Sequence, residues 1–234
     1  MHKHAAYITE IIGTFFLVFT VGTSVLTGTP LAPLAIGAVL MVMVYAGGHV
    51  SGGHYNPSVT TGVLVRRKLA LPDAIAYWVA QAVAAVVGAV VTRWVVNPRN
   101  VASLQLSGRE LFTALLVEVL FTFALVYVML NVATSKTNPN NSFYGLAIGF
   151  TVAAGAIAVG RISGAAFNPA VTVGVWLMGL LTWYTAALYI GFQLLAGAVA
   201  GAVFLALNPD ELPARPVPEE ELTTAPVADR QAGP

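Results

Sequence analysis

Cysteine is absent from all 234 residues, which excludes disulfides, thiolate metal sites and cysteine nucleophiles. Charge is scarce too: only 9% of residues are Asp, Glu, Lys or Arg, against about a quarter in ordinary soluble domains. A water-facing surface cannot be dressed with so few charges. The remaining His, Asp and Glu form no cluster with metal-ligand spacing, and no nucleophile–base pair can be assembled from them. The reading is therefore non-enzymatic, with no metal and no cofactor.

The net charge of +1 conceals a division. Up to Leu207 the chain has nine bases and four acids, for +5; after it, six acids and two bases, for −4. The bases are scattered among short loops, which argues against a nucleic-acid partner. Residues 208–234 are Pro-rich, acidic and poor in apolar side chains, so a disordered tail is expected there.

What the chain has in excess is apolar sequence, 57% of its residues. Runs of about twenty apolar residues mark membrane-crossing helices. Six are predicted, at Ala5–Leu26, Leu34–His49, Leu71–Val96, Leu111–Val132, Phe143–Val159 and Trp183–Leu207. The first has no small-residue cleavage site and is expected to stay in the mature protein. Asn56–Val65 and Asn168–Leu180 are too short to cross: a ten-residue helix covers about half of a hydrocarbon core roughly 30 Å thick. They read as re-entrant half-helices, which need protein or water around their irregular backbone.

One stretch occurs twice. Ser51–Val63 (SGGHYNPSVTTGV) returns as Ser163–Val175 (SGAAFNPAVTVGV), eight of thirteen positions identical at an offset of 112 residues. An Asn at a helix N-cap accepts a free backbone N–H and turns its NH₂ donors outward. Pro at the first helical position loses no hydrogen bond. Glu10–Phe19 likewise answers Glu118–Tyr127, and Gln81 answers Gln193. Residues 1–207 thus form one channel-like domain of two repeats, about 5–96 and 110–207. Three crossings per repeat make the repeats inverted, so the half-helices enter from opposite faces and meet near the midplane.

Two half-helix N-termini bring about half a positive charge each to that point. Cations and hydronium are repelled there, while a neutral solute can accept hydrogen bonds from Asn56 and Asn168. The expected activity is passive passage of small uncharged solutes. Strict water selectivity stays open, as does a coupled transporter, which also uses broken helices and inverted repeats. Glu10 and Glu118, the acids well within spans, are either a proton relay or acceptors for the unwound backbone before each half-helix; the second is expected. Gln81 and Gln193 are expected to link helices. His54 is expected to line the inner side of the pathway, as a pH gate or as a neutral, hydrogen-bonded imidazole, the second being favoured. Lys3, Arg66, Arg67, Lys68 and Lys136 on one side, against Arg93, Arg99, Arg109 and Arg161 on the other, predict cytoplasmic termini and a multi-pass protein of the cell membrane.

At these residues the chain resembles the aquaporin (major intrinsic protein) family. Asn56-Pro57-Ser58 and Asn168-Pro169-Ala170 are similar to its two Asn-Pro-Ala boxes, the first with Ser for Ala. Glu10, Glu118 and His54 match its buried glutamates and the histidine before its first box. The resemblance implies an all-α membrane fold of six spans and two re-entrant half-helices, a homotetramer, and passive flow of water and other neutral solutes. It also implies a constriction at Ile36, Ala156, Ala166 and Val171. Val171 stands where most members have Arg, and Thr172 where glycerol facilitators have Asp; some plant vacuolar members share the Val. The expected pore passes water with glycerol, urea, ammonia or hydrogen peroxide. Arg161 is expected at the mouth rather than as a replacement filter residue.

Overall fold

A computed structural model describes residues 3–211 of the chain. Eight α-helices are found among them: α1 Lys3–Leu26, α2 Ala32–Ser51, α3 Pro57–Val65, α4 Leu71–Val96, α5 Gly108–Ala133, α6 Tyr144–Ser163, α7 Pro169–Leu177 and α8 Trp183–Leu207. All but α3 and α7 are long and apolar enough to cross a bilayer, which makes this a multi-pass membrane protein. Local chemistry sets the ends. Pro33 and Pro72 stand in the first turns of α2 and α4, where a missing N–H costs nothing. Gly52 and Gly164 close α2 and α6 in the left-handed region, which glycine enters without a Cβ penalty.

Several ends differ from the sequence expectation. α6 runs on to Ser163 rather than stopping at Val159, because Gly164 supplies the left-handed cap. α7 stops at Leu177 rather than Leu180. There Gly179 N–H bonds to Trp176 O and Leu180 N–H to Val175 O, with Gly179 at φ 85°.

The expected disordered tail is ordered at its start. Pro209–Glu211 form a 3-10 turn, and the Glu211 side chain is buried against Arg66. Acidity alone suggested a solvated segment, yet this carboxylate has a guanidinium and a loop to bind. The rest of that expectation, 212–234, lies outside the described residues.

The helices pack as the inverted repeat requires: α1 lies on α4, α5 on α8, and α2 crosses α6 between the halves. At that crossing Gly37 and Gly149 face each other. A Cβ on either would meet the other's carbonyl oxygen at 2.6 Å or closer, so the backbones touch only because both are glycine. The buried face of α4 carries Ala74, Ala80, Ala84, Ala85, Gly88 and Ala89 beside the hydrogen-bonding Tyr77 and Gln81, whereas Val79, Val83 and Val90 point outward. Mostly small residues inside and bulky apolar ones outside is the arrangement that lipid permits, since tight packing rather than hydrophobic exclusion joins helices there.

Candidate functional site

α3 and α7 meet end to end at Asn56 and Asn168. Each Asn is an N-cap: Oδ1 of Asn56 accepts Ser58 N–H at 2.8 Å, and Oδ1 of Asn168 accepts Ala170 N–H at 2.8 Å. The amide nitrogens then cross between the repeats. Asn56 Nδ2 donates to Phe167 O at 3.0 Å and Asn168 Nδ2 to Tyr55 O at 2.9 Å. An amide carries two N–H donors, so each Asn keeps one beyond this brace.

The loops leading into the junction hang on the two buried glutamates. Glu10 accepts from Ser51 Oγ (2.7 Å), His54 N–H (2.9 Å), Tyr55 N–H (2.7 Å) and Gln81 Nε2 (2.8 Å). Glu118 accepts from Ser163 Oγ (2.7 Å), Ala166 N–H (3.0 Å), Phe167 N–H (2.8 Å) and Gln193 Nε2 (2.8 Å). Both carboxylates are wholly buried. Every donor lies on a loop or on a neighbouring helix, which is the scaffold geometry and not that of a relay open to a pathway. Ser51 and Ser163 were missed as scaffold members, although they open the repeated stretch; each also accepts a loop N–H two residues on. Tyr77 and Tyr189, again 112 apart, donate to the carbonyls of Ser51 and Ser163.

A narrow cavity passes the junction. Its lining includes His54, Asn56, Asn168, Ile36, Ala166 and Val171, so six of the sequence candidates converge on one space. Pro57, Ser58, Pro169 and Ala170 form the first turns of the half-helices behind the two Asn. Ala156 does not line this cavity; it is buried one turn beyond Val152, on the α6 face that brings Ile148 and Val152 to it. Leu17, Val21, Leu40, Leu125 and Met129 complete the wall. Periodicity could place them on inward faces but could not separate cavity from core. About 20 Å³ is open to the centre of a water-sized sphere, against the roughly 10–15 Å³ that one water needs.

His54 also borders a wider vestibule of about 550 Å³, walled by Lys3, Tyr7, Lys68, Asp73, Tyr77 and Thr134 among others. The imidazole Nδ1 lies 3.0 Å from Thr60 Oγ1, and which atom donates depends on the tautomer. The structure thus places His54 between vestibule and cavity, with one ring nitrogen engaged. Arg161 is exposed at the end of α6 and is not among the cavity-lining residues.

The far ends of the half-helices have guanidinium partners that sequence reasoning did not anticipate. Arg66, the C-cap of α3, is buried with Nη2 2.9 Å from Glu211 Oε2 and its Cζ 4.7 Å from the Phe204 ring centroid. It also donates to Thr134 O. Burial alone would raise the Glu211 carboxyl. The bonds from Lys136 N–H and Ser135 Oγ, with the charges of Arg66 and Lys136, outweigh it and hold Glu211 below the ordinary glutamate value. At α7 it is Arg93 of α4 that donates, to Met178 O at 2.7 Å. Positive charge at a helix C-terminus complements the dipole; at α7 Arg93 supplies it by a direct bond, whereas at α3 the Arg66 charge is paired with Glu211.

Comparison with known proteins agrees with this geometry. The sequence profile of the Major intrinsic protein family matches residues 1–166 and 146–225. Over 177 residues the chain is 39% identical to glycerol uptake facilitator protein-like 6 of Lactiplantibacillus plantarum, covering 72% of this chain and 81% of that protein. It is 34% identical over 188 residues to aquaporin TIP1-1 of Arabidopsis thaliana, covering 78% and 73%. The X-ray structure of the aquaglyceroporin from Plasmodium falciparum superposes with a TM-score of 0.70 at 22% identity, covering 89% of this chain and 98% of that one.

Proposed function

The chain belongs to the major intrinsic protein (aquaporin) family, and from that premise we propose that its pore carries glycerol, urea, ammonia and hydrogen peroxide alongside water while excluding ions and protons. Passive passage of water and small solutes is the activity of a channel, with no coupled ion required. The observation that carries the reading is the junction itself: two half-helix N-termini and two Asn amides facing one another across a cavity lined, apart from them and His54, by apolar residues. Positive dipole ends repel a desolvated cation, and the free amide donors suit a neutral solute with lone pairs.

Asn56 and Asn168 are assigned as the solute-binding pair, His54 as the donor or acceptor on the vestibule side, and Ile36, Ala166 and Val171 as the outer constriction, without Ala156, which does not line the cavity. Three apolar residues make a filter poor in donors. The relative named as a glycerol uptake facilitator supports a solute range beyond water. We place the termini in the cytoplasm, since Lys3 and Lys68 share one vestibule wall. A homotetramer in the cell membrane accounts for the outward apolar faces of α4 and α5.

Strict water selectivity is the second reading, favoured by the narrowness of the cavity. Stopped-flow light scattering on proteoliposomes with water, glycerol and urea separates the two. Flux of all three above protein-free vesicles is the expected result; water flux alone establishes the second reading.

A further inference from the structure

Tyr55 stands where both repeats are held together. Its N–H donates to Glu10 of its own repeat, its carbonyl accepts Asn168 Nδ2 of the other, and the next residue is Asn56. Its backbone is left-handed, φ 48°, a region that bulky residues enter at a cost. Something must hold it there. The ring is 1% exposed and sits in a slot between α1 and α2. Gly13 and Gly47 form the slot; a Cβ at Gly13 would collide with the ring and one at Gly47 with the hydroxyl. The hydroxyl ends at Met43 O, to which it donates at 3.0 Å. Met43 is one turn ahead of Gly47 on α2, the helix that also presents Ile36 and Leu40 to the cavity.

The counterpart Phe167 has the same φ of 48° and the mirrored backbone bonds. Its ring stacks on Phe121, centroids 5.3 Å apart, and it has no hydroxyl. Both backbones hang on a glutamate of a spanning helix, but only on the Tyr55 side does the aromatic side chain itself add a hydrogen bond to one.

We infer that Tyr55 is a positioning residue for solute selection: its hydroxyl, seated in the Gly13–Gly47 slot and bonded to Met43 O, fixes the carbonyl that orients the Asn168 amide. A free carbonyl at this point lets the Asn168 amide swing and the Gly53–His54 wall withdraw, so larger solutes gain relative to water. For flux, the inference rests on the channel reading above.

The test uses full-length Tyr55→Phe, which removes one oxygen and leaves the ring in place. Gly191→Ala serves as control, because a Cβ there meets nothing within 4 Å. Two readouts are needed. In proteoliposomes, the ratio of glycerol and urea flux to water flux should rise in Tyr55→Phe by up to roughly fivefold, the scale of one neutral hydrogen bond, and stay unchanged in Gly191→Ala. By hydrogen–deuterium exchange in detergent, peptides covering 164–177 should exchange faster along with those covering 52–65, because the brace crosses between repeats. Unchanged exchange over 164–177 overturns the inference. So does an unchanged solute-to-water ratio in a variant whose wild type conducts. A wild type that conducts nothing defeats the channel reading instead, and the exchange measurement still decides the role of Tyr55.

Discussion

From Ser51 to Thr60 and from Ser163 to Thr172 the backbone takes one path twice: φ 87° and 85° at Gly52 and Gly164, 63° and 52° at Gly53 and Ala165, 48° at both Tyr55 and Phe167, and −157° at both Asn. The side chains that hold this path are identical in kind: a glutamate, a serine, a glutamine and a tyrosine hydroxyl in each half. The side chains that face the cavity match only in part: Asn56 and Asn168, Val59 and Val171, Ile36 and Ile148, and Leu17 and Leu125 are alike, whereas His54 stands against Ala166 and Leu40 against Val152. Behind them, Thr60 is within reach of the His54 imidazole, while Thr172 donates to Gln193 Oε1. Duplicated polar residues build a symmetric frame, and the unmatched positions give its two mouths different chemistry.

The largest expected effect breaks the frame equally from either side. Glu10→Ala and Glu118→Ala each strand four donors in a buried site, at ~1 kcal/mol or more apiece. Both should destabilise by on the order of 4 kcal/mol and lower the yield of monodisperse protein in detergent. A silent variant on one side only would show that the two halves do not share the load.

Next is the latch at the end of α3, which α7 lacks. Glu211→Ala leaves the Arg66 guanidinium buried without its carboxylate and should cost about 3 kcal/mol, visible as a lower melting temperature in detergent. The pH dependence has a definite sign. The folded pKa of Glu211 lies below its unfolded value, so its contribution is complete above about pH 4.3. It is lost as pH falls through the lowered folded value. Glu211→Gln should therefore reduce the acid-side fall in melting temperature, and an unaltered profile would remove Glu211 from the account.

A smaller effect sharpens the difference between the mouths. Val171→Arg puts fixed donors and a long side chain into the cavity wall, so glycerol and urea flux should fall by about tenfold or more relative to water. Equal losses of water and urea would show that this position does not set selectivity. Smaller again is the loss of ion exclusion in Asn56→Asp and Asn168→Asp, where a carboxylate offsets the half-helix dipole ends. Currents a few-fold above wild type in planar bilayers are expected; wild-type currents in both variants would contradict the dipole account.

Much of this arrangement was legible in the chain before any coordinates. Apolar runs define six spans because a hydrocarbon core of about 30 Å demands a continuous stretch of that length. The repeated Asn-Pro defines two half-helices because only an N-cap followed by Pro fits both residues. The matched Glu and Gln at constant offsets pointed to a scaffold. Three things were decided only by tertiary structure. Arg66 reads as one of three loop bases, yet it is buried by Phe204, Thr134 and Glu211, and no local pattern joins residues 145 positions apart. Glu211 reads as tail, and becomes ordered because that guanidinium and the loop at Ser135–Lys136 gather around it. Tyr55 reads as one variable position in a motif, and acquires its role from glycines on two other helices. Spacing along a chain records what one helix or cap requires of its own backbone. Which distant side chain fills a slot or neutralises a buried charge depends on how the helices come together, and one-dimensional pattern does not contain that distance.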